Sequence, residues 1–212
     1  MSNAELKTMR KKGVLISIEG LDGSGKTTQA QILTERLFKS HNAVYTAEPS
    51  HGTTGTFIRE CCLYEEKRLP TAAEALLFAA DRVEHVENEI KPALAEGKLV
   101  ICDRYIYSSL AYQGSEGLSL AWIKKINSCA LQPDFAVFID VPPECVLERL
   151  HRKKSVMETL ETQRKVREVY LNFVRAGELF SIDGDKPMGE VADALFNRVQ
   201  SLLRTGLSTF LK

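Results

Sequence analysis

The 212-residue sequence is most informative at first through what it lacks. It has no net charge, with 28 Lys and Arg set against 28 Asp and Glu. A domain that grips an extended polyanion usually carries a basic excess, so a nucleic-acid partner is not expected. No apolar run approaches the roughly 18 residues of a membrane helix. Met1 to Lys12 is polar and basic with no apolar stretch behind it, which is unlike a secretory leader. A cytoplasmic protein without membrane partners is the expectation. The five cysteines are odd in number and irregularly spaced, Cys61 and Cys62 being adjacent. That pattern suits neither a disulfide framework nor a zinc site, but thiols in a reducing compartment. There is no internal repeat and no low-complexity linker, so one domain spanning 1–212 is expected. Histidines are few, and His41, His51, His85 and His151 suggest no catalytic arrangement.

What is present is a recurrent alternation. Val14 to Glu19 (VLISIE) is a short, β-branched apolar run ending at glycines, and Lys26 to Ser40 follows with Ile32, Leu33, Leu37 and Phe38 at helical spacing. Ala43–Ala47, Leu99–Cys102, Phe135–Asp140 and, more weakly, Leu179–Asp183 read as further strands. Thr71 and Glu74 suggest a capping box for a helix running to about Glu96, which Pro92 should kink or restart. Pro142-Pro143 opens another helix, and a last one runs from about Gly189 to Leu203. Strands that are continuously apolar, alternating with helices, predict an α/β three-layer sandwich: a five-stranded parallel sheet covered by helices on both faces. Ligands in such sheets bind beyond the carboxyl ends of the strands.

Two segments at those ends carry chemistry. Gly20-Leu21-Asp22-Gly23-Ser24-Gly25-Lys26-Thr27 fits G-x-x-x-x-G-K-[ST] in full and lies between a predicted strand and helix. Its glycines let backbone N–H groups point at phosphate oxygens, Lys26 faces the outer phosphates, and Thr27 can take a Mg²⁺ position. Asp103 directly follows the third strand, where a carboxylate can hold Mg²⁺, and Arg104 beside it offers a fork of donors for a phosphate. The alternative for this pair is a simple surface ion pair.

These residues together resemble the thymidylate kinases, a group of nucleoside monophosphate kinases with the P-loop NTPase type of fold. The resemblance rests on GLDGSGKTTQ at Gly20–Gln29, Glu48-Pro49, LLFAADR at Leu76–Arg82, DRYIYSSLAYQG at Asp103–Gly114, PDFAVFIDVPPE at Pro133–Glu144 and IDGD at Ile182–Asp185. It implies ATP and Mg²⁺ as cofactors, thymidine monophosphate (dTMP) as acceptor, and a homodimer. For the phosphate loop it implies nucleotide contacts from Gly20, Asp22, Gly23, Ser24, Gly25, Lys26, Thr27 and Thr28, with Asp22 near the sugar 3′-hydroxyl or the metal. On the acceptor side Phe78 would stack on thymine and Arg82 would reach a base carbonyl. Arg104 would bind the monophosphate and Tyr112 would lie under the deoxyribose. Ser108, Ser109 and Gln113 would sit near the base edge, with Glu48 nearby. A mobile lid is implied around 149–162.

The sequence departs from the family pattern in two places. Ala47-Glu48-Pro49-Ser50-His51-Gly52 stands where Arg-Glu-Pro-Gly-Gly is usual, and Arg59 could supply the missing cation. Around Met157 to Glu161 the usual Asp-Arg pair of the lid is replaced. Because the loop position that carries arginine in some members is Gly23, the catalytic cation is expected from the lid: Arg149, Arg152 or Lys153. Two other readings stand beside this one. A deoxynucleoside kinase would use Glu48 as base on a sugar 5′-hydroxyl, and a non-catalytic nucleotide switch would need no acceptor residues.

Overall fold

The computed structural model describes residues 13–62, 69–149 and 159–205. Within them, five strands form one parallel sheet in the order β2-β3-β1-β4-β5. The strands are β1 (Val14–Gly20), β2 (Ala43–Ala47), β3 (Leu99–Asp103), β4 (Phe135–Asp140) and β5 (Phe180–Asp183). The helices are α1 (Lys26–His41), α2 (Thr53–Cys61), α3 (Thr71–His85), α4 (Lys91–Ala95), α5 (Ile106–Ser115), α6 (Leu120–Ile126), α7 (Pro143–Arg149), α8 (Leu160–Arg175) and α9 (Met188–Thr205). The predicted α/β architecture is thus present, with all five expected strands.

β1 is central because every residue from Leu15 to Gly20 is buried, as a strand covered on both faces must be. α1 and α9 pack together and against the sheet, while α5 pairs with α8 and touches α3. Phe138 of β4 stacks on Tyr170 of α8, centroids 4.6 Å apart, which ties that helix layer to the strand beneath it.

One local expectation changes. Thr71 is the first residue of α3 and not its cap; the cap position is Pro70, with no side-chain bond, so the capping box does not form. The first turn is served instead by the Pro70 carbonyl, which accepts from Ala73 and Glu74 N–H. Pro92 marks a restart, as expected: α3 gives way to a five-residue π-helical turn at Val86–Ile90, and α4 begins at Lys91 with the proline in its first turn. α2, α5, α6 and α8 are further helices beyond those expected from the sequence.

Candidate functional site

The phosphate loop joins β1 to α1 by two left-handed turns, Gly23 at φ 88° and Gly25 at φ 84°, a region an L side chain enters only with strain. This geometry carries the chain round so that Lys26, the first helical residue, turns back: its Nζ donates to the Leu21 carbonyl at 3.2 Å. Burial, together with the nearby Arg104 charge, depresses the Lys26 ammonium to about 8.

The carboxyl end of β3 supplies the second part. Thr27 Oγ1 donates to Asp103 Oδ2 at 2.5 Å, and Tyr45 hydroxyl reaches the same oxygen at 3.3 Å. The other oxygen, Asp103 Oδ1, is buried and has no protein partner among the described residues. An orphaned carboxylate oxygen beside a threonine hydroxyl is a hard-oxygen donor set, which fits a divalent cation such as Mg²⁺.

Arg104 follows in a left-handed conformation, φ 68°, a strained position for a side chain this large. Its backbone N–H donates to Ile18 carbonyl at 3.0 Å and its own carbonyl accepts from Cys102 Sγ at 3.0 Å, so both sides of the turn are fastened. The guanidinium then crosses to the phosphate loop. Nη1 donates to Gly20 carbonyl and Ser108 Oγ, both at 3.1 Å, and Nη2 donates to Asp22 Oδ1 at 2.5 Å. Tyr112 completes the group by donating to Asp22 Oδ2 at 2.9 Å, with Arg104 over its ring at 5.1 Å. Burial opposes ionisation of Asp22, but the Arg104 and Lys26 charges outweigh it and hold the carboxyl below its ordinary range.

A cavity of about 410 Å³ opens here, lined by Asp22, Gly23, Gly25, Lys26, Thr27, Glu48, Asp103, Arg104 and Arg149. All nine were singled out from the sequence. Gly20, Ser24 and Thr28 belong to the same loop without lining the cavity.

None of the remaining acceptor-side candidates lines it. Ser109 and Gln113 are buried on α5, and Ser108 Oγ links Arg104 to a carboxylate at 2.7 Å, Glu19 Oε2. Arg82 is fully buried: it donates to Glu48 Oε2 at 2.6 Å, Asn127 Oδ1 at 2.5 Å and Ser109 Oγ at 3.2 Å, leaving only Nε without a partner. Phe78 is half-buried on α3 one turn before Arg82 and does not line the cavity. Arg59 fastens the Glu48-Pro49-Ser50 segment, donating to the Pro49 and Ser50 carbonyls at 2.6 Å each. Arg149 at the end of α7 pairs with Asp185 at 2.8 Å. Arg152 and Lys153, and most of the expected lid, lie outside the described residues.

Sequence reasoning missed two residues. Glu19 is buried at the end of β1, its carboxyl raised by burial; a charge inside an apolar strand run was the available signal. His85, read as incidental, is buried against Glu48. Its place three residues after Arg82 put it on the same helix face.

Comparison with known proteins agrees with this geometry. Residues 18–195 match the family model described as thymidylate kinase. The chain is 46% identical over 177 residues to a probable thymidylate kinase of Pyrococcus horikoshii, covering 80% of this chain and 85% of that one. It is 39% identical over 203 residues to one from Thermococcus kodakarensis, covering 91% and 98%. A probable thymidylate kinase of Pyrobaculum calidifontis is 41% identical over 197 residues, covering 90% of this chain and all of its own.

Proposed function

The chain belongs to the thymidylate kinase family, and from that premise we propose that its cavity is where ATP phosphorylates dTMP to the diphosphate. The observation that carries the reading is the convergence of Lys26, Thr27, Asp103 and Arg104 on one cavity.

A dTMP phosphate oxygen attacks the γ-phosphorus of ATP, and the bond from that phosphorus to the β–γ bridging oxygen breaks, releasing ADP. The acceptor phosphate has a second pKa of about 6, so near neutrality it is already largely ionised and no general base is required. Positioning and charge neutralisation remain as the tasks of the protein. The loop amides and Lys26 hold the β- and γ-phosphates. Arg104, kept in place by Asp22 and Tyr112, receives the acceptor phosphate. Thr27 and Asp103 would hold Mg²⁺, which supplies neutralisation of phosphate charge when bound. Arg149 stands at the start of the lid segment as the cation that approaches the transferring group. Phe78, Arg82, Ser108, Ser109, Tyr112 and Gln113 make up the nucleoside side.

The deoxynucleoside-kinase reading is not favoured. Both oxygens of Glu48 are engaged, one by Arg82 at 2.6 Å and the other facing His85 at 3.2 Å. A carboxylate so occupied is poorly suited to take a hydroxyl proton. We also propose a homodimer. The outer face of α3 exposes Leu76 and Val83, and α2 exposes Phe57 beside it, an apolar surface that a second copy would cover. Among the described residues no helix is long and apolar enough to cross a membrane; a cytoplasmic home with small-molecule partners is proposed on the family's account.

The test is ADP release across a panel of nucleoside monophosphates together with thymidine. Turnover of dTMP with none of thymidine is expected. Phosphorylation of thymidine alone would overturn the assignment.

A further inference from the structure

Behind the cavity, a buried cluster holds one residue of its wall. Glu48 lines the cavity, and the side chains of Glu48, Arg82 and His85 are all nearly or fully buried. Arg82 Nη2 lies 2.6 Å from Glu48 Oε2, and His85 Nδ1 lies 3.2 Å from Oε1. On the far side of the imidazole, Nε2 is 2.6 Å from Thr46 Oγ1 and 3.5 Å from Glu89 Oε2, while the Thr46 hydroxyl is itself 2.9 Å from Glu89 Oε2.

The directions of these bonds follow from donor and acceptor capacity. Nδ1 faces a carboxylate whose other oxygen is gripped by the Arg82 guanidinium, and a carboxylate so held accepts, so Nδ1 donates to Glu48. Nε2 meets the Thr46 hydroxyl, so the ring is held from both sides.

The other groups around the ring do not reverse this. Cys102 Sγ lies in the same cluster but donates to the Arg104 carbonyl, and burial pushes the thiol well up, so it brings no charge. Asp81, next to Arg82, has both oxygens occupied by Ser50, whose N–H and Oγ lie at 2.9 and 2.6 Å. Glu89 is exposed to solvent, which screens it.

We infer that His85 is a positioning residue for the acceptor: with Arg82 it clamps Glu48 in the cavity wall, so that both carboxylate oxygens are held by protein donors and are not free to face the acceptor's phosphate. This rests on the acceptor side assigned under Proposed function. An acceptor bearing a phosphate is thereby favoured over an uncharged nucleoside, since a bare carboxylate would repel it.

Two measurements test this. In a His41→Asn/His51→Asn/His151→Asn variant, His85 is the one histidine left. Its ring ¹⁵N resonances should show Nδ1 protonated and hydrogen-bonded. A ring with an unprotonated Nδ1 overturns the inference. In steady-state assays His85→Phe should raise KM for dTMP about tenfold, the effect of leaving a buried partner unpaired. KM for ATP should stay within about twofold, and His85→Gln, which returns a donor, should recover most of the loss. Equal changes in both KM values, or none in that for dTMP, also overturn it. Should His85→Phe fail to fold, dTMP added to the triple variant should displace the His85 resonances and a non-hydrolysable ATP analogue should not; the reverse pattern is fatal. If wild-type protein does not turn over dTMP at all, the functional reading fails, while the ring resonances still report the clamp.

Discussion

The hydroxyl of Tyr112, in the middle of α5, donates to Asp22 Oδ2 across 2.9 Å and so ties the acceptor helix to the phosphate loop. This bond and the ring that carries it do separable work. Tyr112→Phe removes one partner of a half-buried carboxylate and should lower kcat/KM for dTMP about tenfold. Because the ring stays, preference for dTMP over its ribonucleotide should change by less than about threefold, whereas Tyr112→Ala should erode it further. Competition assays with the two monophosphates read both effects.

Lys26 gives two pH dependences of opposite sign. With its ammonium depressed to about 8, the free enzyme loses the charge that grips ATP above that pH. kcat/KM for ATP should therefore fall about tenfold per pH unit beyond it. Stability moves the other way. The ordinary lysine value is 10.5, so between about 8 and 10.5 the unfolded chain binds a proton that the folded chain does not. Stability from this residue rises with pH through that window, and below about 8 the penalty of burying the charge is felt in full. Urea midpoints of wild type relative to Lys26→Met should show wild type gaining between pH 8 and 10.

Asp103→Asn keeps the shape of the side chain and removes its charge. The Thr27 hydroxyl loses a carboxylate partner, and the orphaned oxygen ceases to be a strong cation ligand. The Mg²⁺ concentration for half-maximal activity should rise about 10–100-fold, and activity at saturating Mg²⁺ should recover in part. A Mg²⁺ titration that superimposes on wild type would contradict the assigned site.

Phe138→Ala opens a void under Tyr170 between β4 and α8, and should cost about 3–5 kcal/mol in urea unfolding. Tyr170 hydroxyl lies 3.0 Å from Ser108 Oγ, which in turn holds Arg104. A secondary rise in KM for dTMP should accompany the lost stability.

The grip on phosphate was legible in the sequence because it is local. Gly23, Gly25, Lys26 and Thr27 are neighbours whose spacing dictates their geometry, and Asp103-Arg104 is placed by the strand that ends there. The Glu48–Arg82–His85 clamp was not legible, because it joins the end of β2 to α3 across 34 residues or more. Spacing within one helix puts Arg82 and His85 on a face without saying what that face meets. Thr71 misled for a related reason: the four-residue pattern of a capping box is present, but Pro70 with its fixed φ takes the cap position.

The strand order separates two jobs along the edge of the sheet. β1 and its neighbour β3 contribute the loop, Lys26, Asp103 and Arg104, so most of the proposed phosphate grip hangs from one adjacent pair, with Arg149 joining it from α7. Glu48 and its clamp hang from β2 and α3 at the sheet's outer margin. Residues there can drift toward a different nucleoside while the transfer machinery on the strands inward of β2 keeps its alignment, which makes this margin the place to engineer a new acceptor.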